Sequence, residues 1–180
     1  MSTTPNGLPD NLLEALLDSW NRNNTILLNL LKAFPEGALE ARAMEGSPSI
    51  AVQFSHLHST RLFFINQTAP EFGKDLTQLF RQEGEQRLAE RNLERIAAGL
   101  EASAKAVGDA VQNRLETGQA MKGTNVAYDH PILLLQHLLW HEGYHVGQMM
   151  LGLKAMGQPM SDEQAEPAIW DVWRREEWTE

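Results

Sequence analysis

The sequence predicts an all-α protein, a four-helix bundle followed by a short C-terminal helical tail. Three observations predict it. Apolar residues recur at three- and four-residue spacing through four long stretches, which is the period of an amphipathic helix. Prolines and glycines punctuate the ends of those stretches. With 180 residues, 42% hydrophobic and 22% charged, the chain is long enough to turn four apolar stripes into one core. No internal repeat, low-complexity tract or convincing strand pattern competes. The chain 1–180 reads as one domain, with a bundle core over 8–157 and an extension over 158–180.

Each element has its own signals. Leu8, Leu12, Leu13, Leu16, Leu17, Trp20, Leu27, Leu31 and Phe34 mark the first helix, and Pro35 and Gly37 stop it. The polar interruption Asn21-Arg22-Asn23-Asn24 falls in its middle. Asn24 lies on the apolar stripe, four residues after Trp20 and three before Leu27, so its amide either lines a wet pocket or finds a partner in the core. Ser47-Pro48 reads as an N-cap followed by proline at the first helical position, and the second helix runs from there to about Thr68. A turn-like Ala69-Pro70-Glu71-Phe72-Gly73 and an amphipathic stretch around Leu76, Leu79 and Phe80 follow. Leu93, Ile96, Leu100, Val107, Val111 and Leu115 mark the third helix, which ends near Gly118. Asp129 or His130 caps the fourth helix ahead of Pro131. That helix continues to Met156, with Gly157 as its C-cap and Pro159 beyond.

The composition narrows the function. A formal charge of −9 repels polyphosphate and the 15 Lys and Arg residues are scattered, so no nucleic-acid partner is expected. Cysteine is absent, which removes disulfides, thiolate ligands and a cysteine nucleophile. The N-terminal Met1-Ser2-Thr3-Thr4-Pro5-Asn6-Gly7 lacks the regions of a signal peptide, and no apolar run approaches membrane-spanning length. A cytoplasmic protein without a membrane partner is the simplest expectation.

The most informative segment is His141-Glu142-Gly143-Tyr144-His145-Val146-Gly147-Gln148. Four residues turn a helix by about 400° and lift it by roughly 6 Å, so the two imidazoles stack on one face and can converge on one ion. A third ligand must come from elsewhere, and the best candidate is His56 in Phe54-Ser55-His56-Leu57-His58. His56 and His58 are about 200° apart on a helix, so only one of them points into the bundle, and the apolar pattern there does not choose between them. Three histidines leave a coordination position open for water or substrate, whereas structural zinc sites are usually closed by four protein ligands. Glu142 is offset by about 60° from His145 and is a candidate proton acceptor or a carboxylate with a supporting role. His137, one turn before His141, is a candidate cavity wall, supporting group or additional ligand. Gln148, three residues after His145, can orient a ligand or bond to a neighbouring helix.

His-Glu-x-x-His is also the signature of zinc peptidases, in which the glutamate is the general base. Its longer form wants Gly and His where this chain has Gln148 and Leu151. Glu163 and Glu166 could serve a shorter form, but they follow the Gly157-Gln158-Pro159 stop, and no strand is foreseen to hold a peptide. The peptidase therefore stands behind the bundle reading.

Three features together, the Ser-Pro start of the second helix, its Gln53-Phe54-Ser55-His56-Leu57-His58 segment and His-Glu-x-x-His-x-Gly-Gln on the fourth, make the chain resemble the DinB/YfiT-like superfamily of four-helix-bundle metalloproteins over roughly residues 8 to 157. The resemblance implies one divalent ion, zinc or nickel, held by one histidine of the second helix and two of the fourth: His56, His141 and His145. It also implies a small-molecule substrate, since some relatives transfer low-molecular-weight thiols or isomerise thiol adducts. Where the family often has a further His and an Arg around the second ligand of the motif, this chain has Tyr144 and Val146, which leaves the ligands intact and the substrate open.

The remaining features point to packing or pairing. Gly143 and Gly147 permit close approach of another helix or another subunit, and the aromatic tail Ile169-Trp170-Asp171-Val172-Trp173 covers the bundle end, packs in the core or forms a dimer contact. With the habit of related bundles to pair, these features predict a homodimer. The methionines Met149, Met150, Met156 and Met160 are read as core. Three functional classes follow: a metal-dependent thiol transferase or hydrolase, a metal-binding bundle with a sensing or stress role and no turnover, and a helical interaction protein whose histidines are core groups.

Overall fold

The computed structural model describes residues 12–174. The expected first turn at Leu8 and the N-terminal Met1–Gly7 lie outside the described residues.

The four predicted helices are present: α1 (Leu12–Ala33), α2 (Ile50–Thr68), then, after a four-residue α3 (Pro70–Gly73), α4 (Leu93–Thr117) and α5 (Ile132–Ala155). Packed in the cyclic order α1, α4, α2, α5, they form an all-α bundle. No described helix is long and apolar enough to cross a membrane.

The caps explain the boundaries. Asn92 caps α4 by accepting from the Arg95 amide at 2.9 Å, and Gly118 ends that helix in the left-handed region at φ 68°. His130 supplies an acceptor at the start of α5, its Nδ1 lying 3.3 Å from the Ile132 amide. The expected Ser47-Pro48 start of α2 is displaced by two residues. Ser47 is consumed by a local turn, where its hydroxyl donates to the Met44 carbonyl at 2.8 Å and accepts from the Met44 amide at 3.1 Å. Ser49 takes over as N-cap, accepting from the Val52 amide at 3.4 Å.

Two small hairpins correct the expectation of no strands. β1 (Phe80–Glu83) pairs antiparallel with β2 (Gln86–Ala89), Phe80 opposite Ala89, around a two-residue turn whose first position, Gly84, has φ 60°. The stretch read as amphipathic around Leu76, Leu79 and Phe80 thus leads into a strand. β3 (Met121–Lys122) pairs with β4 (Ala127–Tyr128) in the loop before α5.

The core is built in two apolar blocks along the bundle. One gathers Trp20, Ile65, Val107, Val111, Leu134 and Leu138; the other gathers Leu27, Phe54, Leu57, Leu100, Met149 and Leu153. On every long helix a polar residue falls between the two: Asn23 and Asn24 on α1, Arg61 on α2, Ser103 on α4 and Glu142 on α5, all buried. Arg61 is completely buried, and its guanidinium also lies 4.8 Å from the centre of the Trp20 ring.

The C-terminal tail opens with α6 (Asp162–Ala165), fixed by a capping box between Ser161 and Gln164, and passes into a π-type turn over Glu166–Trp170. It lies along α1: Asn29 donates to the Ala168 carbonyl at 3.2 Å, and Arg22 donates to the Val172 carbonyl. The anchoring is through tail carbonyls, so Trp170 and Trp173 stay 52% and 45% exposed and are not the core residues foreseen. Met149 is buried, and Met150 and Met160 pack against its core block, whereas Met156, also read as core, is exposed at the end of α5.

Gly143 and Gly147 do not serve packing within the described chain, since a Cβ at either would meet nothing within 4 Å. Gly123 is the opposite case: a Cβ there would lie 1.9 Å from the Gln67 carbonyl oxygen at the end of α2. Gly123→Ala should therefore cost about 2 kcal/mol and lower Tm by roughly 4–8 °C. Gly143→Ala, in an open helical position, should leave Tm unchanged or raise it by a few degrees. Thermal melts followed by circular dichroism check both.

Candidate metal centre

α2 and α5 lie side by side in the bundle, and each turns histidines toward the other. His56 comes from the second turn of α2, and His141 and His145 from successive turns of α5. One ring nitrogen each of His56, His141 and His145 lies within 4.8 Å of the other two, and this is the one such cluster of three histidines or carboxylates among the described residues. The three rings pack edge to face or tilted, with centroids 5.1 Å apart for His56 and His141, 4.8 Å for His56 and His145, and 4.6 Å for His141 and His145.

The fit to a metal rests on the spacing of the ring nitrogens. The Nε2 atoms of His56 and His141 are 3.2 Å apart. Two nitrogens each about 2.1 Å from a shared ion have that separation when they subtend roughly 100° at it, near the tetrahedral angle. The His141 Nδ1 is buried without any hydrogen-bond partner, the one such side-chain atom among the described residues. It is the ring nitrogen that points away from the His56 Nε2 contact, so an ion at Nε2 leaves it unpaired. The donor set is three neutral nitrogens, which suits zinc, nickel and other borderline divalent ions.

Electrostatics keep those nitrogens neutral. Burial lowers the His145 pKa to about 4, with the His141 and His56 charges adding to the effect. Burial lowers that of His141 too, reinforced by His56 and His137 and opposed by Glu142. His56, the most solvent-facing of the three, is lowered by burial and by the Arg87 charge. Neutral imidazole is the form that binds a metal.

A supporting residue that sequence reasoning did not assign is Gln53. Its Oε1 lies 3.3 Å from His145 Nδ1 and accepts that N–H, which turns Nε2 toward the cluster. Gln53 is itself buried, and its amide nitrogen donates to the Pro48 carbonyl at 3.5 Å. The signal was its position three residues before His56 on α2. With Ser47, Pro48, Tyr144, His145 and Gln148, Gln53 also lines a cavity of about 60 Å³ beside the histidines. Gln148 is thereby placed at the cavity wall.

Other candidates lie elsewhere. Glu142, considered as a proton acceptor, is fully buried and committed: its Oε1 accepts from Arg61 Nε at 2.6 Å, and its Oε2 from Arg61 Nη2 at 2.8 Å and Asn23 Nδ2 at 2.5 Å. It faces the bundle axis because it sits about 100° around α5 from His141. Asn24 is a satisfied core group, accepting from Arg61 Nη1 at 2.9 Å, and lines no cavity at the site. His58 faces away and is held between the carbonyls of Gly99 and Thr77, each at 2.9 Å. His137 stands outside the cluster, exposed, with Nδ1 2.8 Å from the Tyr128 hydroxyl and its ring against Phe64. Burial pushes the Tyr128 pKa up to about 12, so its hydroxyl keeps its proton.

A four-helix bundle with a three-histidine cluster between two neighbouring helices defines a class of bundle able to hold a metal ion at its rim. The DinB family model matches residues 1–174, and the chain belongs to the DinB family. Comparison with curated proteins and with solved structures gave no match.

The lowered histidine pKa values set a pH window. The unfolded chain takes up protons near pH 6.5, whereas folded His145 does so only near pH 4. The metal-free protein thus keeps this contribution to stability above pH 6.5 and loses it progressively as pH falls toward 4. Its Tm should fall over that interval, and His145→Asn should fall less steeply, as scanning calorimetry of both proteins in metal-free buffer will show.

Proposed function

We propose that the protein is a metal-dependent enzyme acting on a small molecule, of the thiol transferase or hydrolase type, with zinc or nickel held by His56, His141 and His145. The observation that carries this reading is the convergence of three neutral imidazoles without a fourth protein ligand in the group. An open position beside a cavity is the arrangement of a reactive site, not of a structural one. When bound, a divalent ion there supplies Lewis acidity, which favours the deprotonated form of water or of a thiol near neutral pH.

The chain's own residues define what the site accepts. Ser47, Gln53, Tyr144 and Gln148 line the cavity with hydroxyl and amide groups and no charge, so it suits a small neutral hydrogen-bonding portion of a substrate. The peptidase alternative loses its base, because the Glu142 carboxylate is occupied by Arg61 and Asn23. A cytoplasmic setting, with low-molecular-weight thiols at hand, accords with this proposal.

Elemental analysis should find one divalent ion per chain in the wild type and almost none in His56→Ala or His141→Ala. Unchanged stoichiometry in both variants removes the site. Metal-loaded protein screened against low-molecular-weight thiols with electrophiles, and against ester and amide substrates, should turn over only when loaded. Metal binding without turnover leaves the non-catalytic bundle as the reading.

We also propose that two copies pair through the outer face of α5, where Leu133, Trp140, Tyr144 and Leu151 are 43%, 78%, 58% and 50% exposed around the open Gly143 and Gly147. A helix apolar on all sides is normally covered. Light scattering coupled to size exclusion should give a mass near twice 20.2 kDa, and Trp140→Glu should return it to that of the single chain. A monomeric wild type at low micromolar concentration refutes the pairing.

A further inference from the structure

We propose that Arg61 and Glu142 are positioning residues of the histidine site: their buried ion pair sets the rotation and register of α2 against α5, and through it the convergence of His56 with His141 and His145. The inference rests on the reading of the three histidines as metal ligands.

The geometry links the pair to the ligands on both helices. Glu142 directly follows His141 on α5, and Arg61 lies five residues after His56 on α2. Their contact is bidentate, at 2.6 Å and 2.8 Å, so it fixes an orientation as well as a distance. Neither partner is free to adapt. Asn23 holds the carboxylate at 2.5 Å, while Asn24 and the Leu100 carbonyl hold Arg61 Nη1 at 2.9 Å and 2.8 Å. An apolar contact at the same place would tolerate sliding by fractions of an ångström. A metal shell tolerates about 0.2 Å in its bond lengths.

Stability alone does not explain the pair. Desolvating both ions costs several kcal/mol, and well-packed apolar residues of similar size commonly do as well or better. Both groups are nonetheless fully buried, in a layer to which each of the four long helices contributes. What a fork-to-carboxylate contact supplies and an apolar one lacks is a defined register between the two helices. Those two helices are the ones that carry the ligands.

The test compares wild type, the double variant Arg61→Met/Glu142→Met, and Glu142→Gln, each metal-free and shown folded by circular dichroism. Zinc affinity is measured by competition with a chromophoric chelator, and cobalt(II) d–d spectra report the ligand geometry. In the folded double variant zinc affinity should fall about 10- to 100-fold and the cobalt spectrum should shift. A folded double variant with zinc affinity within about twofold of wild type and an unshifted spectrum overturns the proposal. Where the double variant does not fold, Glu142→Gln, close in shape but neutral, decides by the same two criteria at a temperature where it is folded. His141→Ala serves as the separating control. Zinc retained by His141→Ala refutes the ligand set itself, whereas zinc lost there but kept by the double variant refutes only the positioning role.

Discussion

The fork between Arg61 and Glu142 is the constraint around which the bundle is arranged. A guanidinium with no access to water needs its donors satisfied, and it draws acceptors from three other helices: Asn24 of α1, the Leu100 carbonyl and Ser103 of α4, and Glu142 of α5. Removing any one partner leaves a buried charge or dipole unpaired. The apolar blocks above and below are built mostly of Leu, Ile, Val, Ala and Met around Trp20 and Phe54, and apolar contact alone would accept many relative placements of the helices. The polar layer accepts very few. The bundle thus combines an unspecific driving force with one specific lock.

The histidines sit beside that lock and not inside it. On α5, His141 lies at the edge of the buried face and His145 one turn further, while Glu142 between them points to the axis. The side of the helix that faces α2 can then carry a ligand set open to solvent at His56, while the neighbouring position secures the backbone. Gln53 repeats the division of labour on a smaller scale, bonding inward to the Pro48 carbonyl and outward to His145. Burial, with the mutual repulsion of the histidines and the Arg87 charge beside His56, keeps the imidazoles neutral.

Much of this was legible in the sequence, and the rest was hidden for physical reasons. His141 and His145 declare themselves because four-residue spacing within one helix is local information. His56 was harder: α2 is apolar or buried on both sides of it, and only the placement of Thr77, in the segment before β1, and of Gly99 shows that His58 belongs to the core. The two hairpins escaped because strands of four and two residues carry too few alternations to read. Glu142 was misleading for a different reason. A carboxylate inside a histidine motif suggests a base, and its true partner lies 81 residues away on another helix, a pairing that no local pattern encodes. The mid-helix Asn21-Arg22-Asn23-Asn24 was the visible half of that network.

The cavity beside the histidines has walls of two kinds. Gln53 and His145 are tied into the helices, but Ser47 and Pro48 belong to the turn before α2, and Tyr144 projects from the outer side of α5. Surface turns and outward side chains change with little penalty to folding, whereas the ligand-bearing faces are held by the polar layer. Substitutions at the turn and at the tyrosine would thereby change the shape and polarity of the cavity while leaving the three-histidine cluster in place. The rim of the cavity can in this way be reshaped while its histidine floor stays fixed.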